Sequence, residues 1–222
     1  MSNHRFRNIF LIGVAAGIAL IIFGWILTPT ESLTGVLAAS AILIIYGLAA
    51  WFAPQKVERI SPTILSTAIR LGLIAGLIFT GEIILEYILL PTDNSIFGLL
   101  EFGSVFILYF LAGAFTVYRT DSLRNGVLSA VSTALIATLI WTIVTLGVFL
   151  LFRGTPQQAV VFQAEGNYID FAQSGMTDFN TFIIEDFMGA VFFHSLLGPL
   201  VASILGGVGG IIGRVVAKVR SK

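Results

Sequence analysis

The stretch SPTILSTAIRLGLIAGLIFTGEIILEYILLP, Ser61 to Pro91, decides what kind of chain this is. Ser61 reads as a helix N-cap and Pro62 as the first helical residue, where a missing N–H breaks no helical bond. From Pro62 to Leu90 the run covers 29 residues, about 43 Å as a straight helix. To fit a hydrocarbon layer about 30 Å thick it must tilt, kink or protrude. It holds one arginine, Arg70, near its start and two glutamates, Glu82 and Glu86, near its end. No lysine or arginine occurs between Arg70 and Arg119, so these carboxylates have no cationic neighbour along the chain.

Five further runs have the same character: Ile9–Leu27, Leu33–Phe52, Ile96–Tyr118, Asn125–Phe152 and Phe187–Arg214. The chain is 57% hydrophobic and 11% charged, whereas soluble domains carry about 25% charged residues. The expected fold class is therefore an all-α polytopic membrane protein, one domain of six transmembrane helices over residues 1–222. Five spans and a re-entrant segment would be the alternative, but each run is long enough to cross by itself. The net charge is zero, which favours neither nucleic acid nor an anionic partner. Without cysteine there are no disulfides, thiolate metal sites or cysteine nucleophiles. The basic start MSNHRFRN precedes a run longer than a signal-peptide core, so the first run reads as a retained span.

Basic residues set the expected orientation. Arg5, Arg7, Lys56, Arg59, Arg70, Arg119, Arg124, Arg214, Lys218, Arg220 and Lys222 fall on one side of a six-span topology, and only Arg153 falls on the other. The opposite side carries Glu31, Asp93, Glu165, Asp170, Asp178, Glu185 and Asp186. Both termini are thus expected in the cytoplasm, in a cell membrane of prokaryotic type.

The long connection Arg153–Asp186 lies on the outer side. Its tail TDFNTFIIEDF, capped by Thr177 or Asp178, spaces Phe179, Phe182, Ile183 and Asp186 as a helix does. A short interfacial amphipathic helix before the last span is expected there. SLTGVLAAS at the start of span two and SLRNGVLSAVS at span five hint at an inverted repeat of three helices, a common transporter plan.

Glu82 and Glu86 share one helix face at i and i+4. Counting back from Pro91 places Glu86 about 7 Å and Glu82 about 13 Å below the outer boundary. Glu101 lies about 8 Å deep on span four and His194 about 10 Å deep on span six, so all four fall in one shallow layer. Arg70 lies about 18 Å from Glu82 along the helix, out of reach. Ionised carboxylates in hydrocarbon face a bundle interior or a wet cavity. Three states satisfy that rule: protonation through like-charge proximity, a bound cation, or a water-filled vestibule. With His194, which titrates near neutral pH, the layer suits a proton relay. The bland alternative is that Glu86 and Glu101 are boundary residues reaching the headgroups. A metal bound by three carboxylates and one imidazole is chemically open, though one imidazole is thin for zinc.

Span six carries the small-xxx-small pairs Gly206/Gly210 and Gly209/Gly213, which permit close helix contact either inside the bundle or between copies of the chain. Span one has a similar stripe, Gly13/Gly17 with Ala15/Ala19. Pro199 removes a backbone donor and frees the carbonyl of Ser195, so a kink is expected there.

The leading reading is transport or conduction of a cation, proton or small solute through the layer of Glu82, Glu86, Glu101 and His194. The competing reading is an accessory or structural subunit of a larger membrane complex. An intramembrane hydrolase is the third: the placement of Gly103-Ser104 and His194 resembles that of the serine and histidine in rhomboid proteases. Ser104 stands in EFGSVF without that family's G-x-S-G, and the family's long first loop and second-span His and Asn are missing. In size, span count and orientation the chain is also similar to the vitamin-binding subunits of energy-coupling-factor transporters, whose span-one alanine pair Ala15-x-x-x-Ala19 resembles. No nucleotide-binding loop, haem motif or metalloprotease motif is present, and no cofactor is expected. The expected partners are the lipid bilayer and either further copies of the chain or other membrane subunits.

Overall fold

The computed structural model describes residues 3–28, 33–56, 62–90 and 95–220. Ser61, Pro91 and Lys222, and the loop charges Glu31, Arg59 and Asp93, lie outside them. The described elements are all helical: α1 (Asn3–Leu27), α2 (Thr34–Lys56), α3 (Pro62–Leu89), α4 (Ser95–Thr120), α5 (Leu123–Leu151), α6 (Pro156–Ala164), α7 (Asn167–Ser174) and α8 (Phe179–Arg220). Six of them, α1 to α5 and α8, are long and apolar enough to cross a membrane. Pro62 opens α3, where its fixed φ suits the first turn.

Polar contacts between helix ends show how the six run. Arg153, just past α5, donates from Nη2 to the carbonyl of Leu27 at the end of α1, 2.7 Å away. The carboxylate of Glu185 on α8 accepts from the backbone N–H of Gly35 at the start of α2, at 2.9 Å. Each charge is the one that the helix dipole favours at that terminus. Tyr87, near the end of α3, packs on Phe152 with ring centres 4.7 Å apart. The ends of α1, α3 and α5 and the starts of α2 and α8 therefore share a loop face, where α6 and α7 also lie. At the opposite, terminal face Arg214 pairs with Asp121, between α4 and α5, at 3.0 Å.

The bundle buries hydroxyl side chains within its apolar core and leaves large apolar side chains on its outside. Thr67, Thr133, Thr142, Ser129 and Ser195 are buried, while Leu77, Leu99, Ile107 and Ile204 are exposed. Water would reverse that order; lipid permits it, because hydroxyls are the costly groups in hydrocarbon. The chain is an integral membrane protein. α5 packs against α1, α3, α4 and α8 and is the most enclosed of the six.

The glycine face of α8 is used within the chain. A methyl group at Gly209 would collide with the carbonyl oxygen of Phe110, one at Gly213 with that of Ala114, and one at Gly206 with Cβ of Ala130. At Gly210 it would stand 2.8 Å from Cγ2 of Val117. These glycines bring α8 against the backbone of α4 and the side chains of α5. On α1, Gly13 and Gly17 face Leu139 and Leu43 in the same way, while Ala15 and Ala19 are exposed.

Two features differ from the sequence reading. The segment Phe179–Asp186 is not a separate interfacial helix but the first turns of the 42-residue α8, about 63 Å long. Asp178 caps it, accepting from the N–H of Thr181 at 2.7 Å. The helix continues because Phe179 and Phe182 pack on Phe162 of α6 and Phe171 of α7, with ring centres 5.8 Å and 5.6 Å apart. The short helices of the connection lie earlier, at α6 and α7. Secondly, an inverted repeat relating α1–α3 to α4, α5 and α8 is mirrored only in part. The extensive packing of α4 on α8 has no counterpart between α1 and α3 among the described residues.

Candidate functional site

Near the loop face, α3, α4, α5, α8 and the end of α6 enclose a cavity of about 250 Å³. Glu82, Glu86, Glu101 and His194 all line it, so the structure brings the four residues of the sequence layer together. Two further acids line it that the depth count did not include, Glu165 and Asp186. No lysine or arginine does, among the described residues. Arg70 is exposed elsewhere on α3, and Arg153 is engaged at the end of α1.

The helical spacing of Glu82 and Glu86 places both carboxyls toward this space. Glu86 is 5% exposed and Glu101 7%, while Glu82 is half-buried. The carboxyl of Glu86 lies within hydrogen-bonding reach of Glu82 on one side and Glu165 on the other. A contact between two carboxyls needs a shared proton or a cation between them. Glu165 arrives from the connection, one residue past α6, and overhangs the cavity. As a residue it presents considerable surface, yet the protein around its carboxyl, and the charges of Glu86, Glu82 and Asp186, push its pKa up to about 8. Asp186 in turn accepts from Nδ2 of Asn167 at 3.3 Å.

Glu101 comes from α4. Its carboxyl makes no hydrogen bond to another described residue. Thr145 of α5 lines the same cavity; it is buried, and its hydroxyl is also without a partner among the described residues. His194 is held by its ring faces against aromatic neighbours. Its ring stacks on Trp141, centres 4.2 Å apart, with Phe102 parallel at 6.0 Å. Nδ1 lies 2.9 Å from the carbonyl of Ala190. A carbonyl only accepts, so Nδ1 carries the proton and Nε2 is left with the lone pair in the neutral ring.

One turn deeper the bundle has a polar layer. Pro199 supplies no N–H to the carbonyl of Ser195, and that oxygen accepts instead from the hydroxyl of Tyr46 at 2.6 Å. Thr138 and Tyr109 neighbour the same phenol. Beyond this layer the glycine contacts of α8 close the bundle.

The arrangement suits cations and protons. Five acids from different elements share one small space with an imidazole that can exchange a proton. Among the described residues, however, no three acid or imidazole groups come close enough to hold a single metal ion. Nor does the geometry form a serine–histidine pair: Ser104 does not line the cavity and makes no bond to His194.

Glu165 had a usable signal in the sequence. Thr155-Pro156 repeats the cap-then-proline pattern of Ser61-Pro62, and Thr155 does cap α6, accepting from the N–H of Gln158 at 3.3 Å. Gly166 and Gly175, both with positive φ, bracket α7. Those marks locate two short helices but not where they fold back. Comparison with protein-family models, with the curated proteins and with the solved structures gave no match to this chain.

Proposed function

We propose that this integral membrane protein transports or conducts a cation, taking it into the loop-face cavity in exchange for protons on Glu82, Glu86, Glu101 and His194. One observation carries the reading: five carboxyls and an imidazole line one cavity between spanning helices with no basic side chain in it among the described residues. Purely structural carboxylates in a membrane would be matched with arginine or lysine, since an unmatched charge is costly there. The distribution of basic residues supports cytoplasmic termini and a cavity that faces the outside. Closure of the terminal half by glycine contacts fits a state open to one side only.

The reading is tested by reconstituting the purified chain in liposomes containing a pH-sensitive dye and imposing cation gradients. Cation-dependent proton movement that Glu101→Gln removes is the expected result. No movement above protein-free liposomes, with any alkali, alkaline-earth or organic cation offered, would remove the reading. An accessory-subunit role would then take its place, with the exposed Ala15–Ala19 face of α1 as its docking surface.

A further inference from the structure

We infer that the cavity is built for an extended organic cation with an ammonium group at each end, an aliphatic diamine, rather than for a bare metal ion; this deepens the transport reading and rests on it.

Carboxyl geometry is the first reason. A calcium ion gathers six to eight oxygens at about 2.3–2.6 Å, and a magnesium ion demands a near-octahedral shell. The acids here cannot supply that convergence. They fall by element into two stations instead, one on α3 and the end of α6 and one on α4. On α3 and past the end of α6, Glu86 stands within hydrogen-bonding reach of both Glu82 and Glu165. Glu101 stands on α4, near enough to feel the charges of Glu82 and Glu86 but bonded to neither.

The second reason is the character of the second station. The Glu101 residue is more than nine-tenths buried, and so is Thr145, whose hydroxyl has no partner among the described residues. Buried polar atoms in membrane interiors are satisfied by something. Among the groups that line the cavity are this carboxyl, this hydroxyl oxygen and the lone pair on Nε2 of His194. All can accept hydrogen bonds, and no lysine or arginine lines the cavity among the described residues. Their complement is an ammonium, with three N–H donors and a positive charge.

The third reason is the apolar part of the cavity wall. Ile83, Phe102 and Phe187 line it, offering apolar surface that suits methylene groups and wastes nothing on a hydrated ion. At about 30 Å³ per water-sized occupant, 250 Å³ admits a chain of about eight heavy atoms. Two ammonium groups joined by four or five methylenes match that size and the two-station layout.

The test is titration of the purified full chain in nanodiscs with 1,4-diaminobutane, n-butylamine, Ca²⁺ and Mg²⁺ at matched ionic strength and pH. Diaminobutane is expected to bind at least about tenfold more tightly than butylamine, since the second ammonium adds charge-assisted hydrogen bonds. Glu101→Gln should bring diaminobutane close to butylamine. Thr145→Val, which keeps the shape and removes only the hydroxyl, should weaken diaminobutane about three- to tenfold if Glu101→Gln fails to fold. Equal binding of the two amines, or tighter binding of Ca²⁺ or Mg²⁺ in competition with diaminobutane, would overturn the inference. Absence of amine binding alongside acid-dependent proton flux would overturn the diamine and leave the transport reading. Absence of both binding and flux would remove the two together.

Discussion

The hydroxyl of Tyr46 on α2 donates to the carbonyl of Ser195 on α8 at 2.6 Å, across 149 residues of sequence. That carbonyl is the one that Pro199 leaves without its helical partner. Tyr46 therefore repairs a gap in α8 just below His194, in a buried layer where no water-exposed alternative exists. Tyr46→Phe should lower stability by about 1–3 kcal/mol, the cost of an unsatisfied buried acceptor. In a Pro199→Ala background the same substitution should cost clearly less, because the helix then supplies the donor. Thermal melting of the four proteins in detergent measures the difference. Equal costs in both backgrounds would mean that the bond is incidental to Pro199.

Glycine packing makes a second expectation. Gly209 sits against the backbone of Phe110, which cannot move aside as a side-chain tip could. Gly209→Val should therefore destabilise by at least about 1–3 kcal/mol, the usual range for overpacking. Ile204→Ala, at an exposed position of the same helix, should change little. Similar melting temperatures for the two variants would place the α8 glycine face toward lipid.

Stability should fall as pH rises through the range set by Glu165. Its pKa in the folded chain is pushed up to about 8 from 4.5, so between those values the folded state binds more protons than the unfolded one. By linkage the slope of stability against pH is then negative. The loss begins above about 4.5, grows toward 8 and levels off beyond it. Glu165→Gln should flatten this part of the profile and raise the melting temperature at pH 8 to 9. An unchanged profile in Glu165→Gln would show that other groups set the pH dependence.

In the liposome assay, Glu82→Gln and Glu101→Gln should each lower cation-dependent proton movement at least about tenfold, the scale of losing a positioned proton-transfer group. Melting temperatures should stay close to that of the parent chain, since glutamine keeps the shape and matches a protonated carboxyl. Full activity in both variants would separate the cavity from transport.

Much of this was written in the chain. Six spans were legible because hydrocarbon thickness acts on contiguous residues: a run of about 20 apolar side chains crosses, wherever its neighbours are. Depth was legible too, since a helix rises a constant distance per residue. That alone placed Glu82, Glu86, Glu101 and His194 in one layer. Pro199 announced a free carbonyl at Ser195, because the missing N–H is a property of the residue itself. Azimuth and partners were not legible. That Glu101 turns toward Glu82, that Tyr46 meets the Ser195 carbonyl, and that the α8 glycines face Phe110 and Ala114 depend on how each helix rotates about its axis. Lipid exerts no pull that distinguishes one apolar face from another, so rotation is decided by close packing between helices. Glu165 and Asp186 entered the site for a related reason. The aromatic contacts of α6 and α7 with the first turns of α8 fold the connection back over the cavity, and no local pattern encodes where a chain returns.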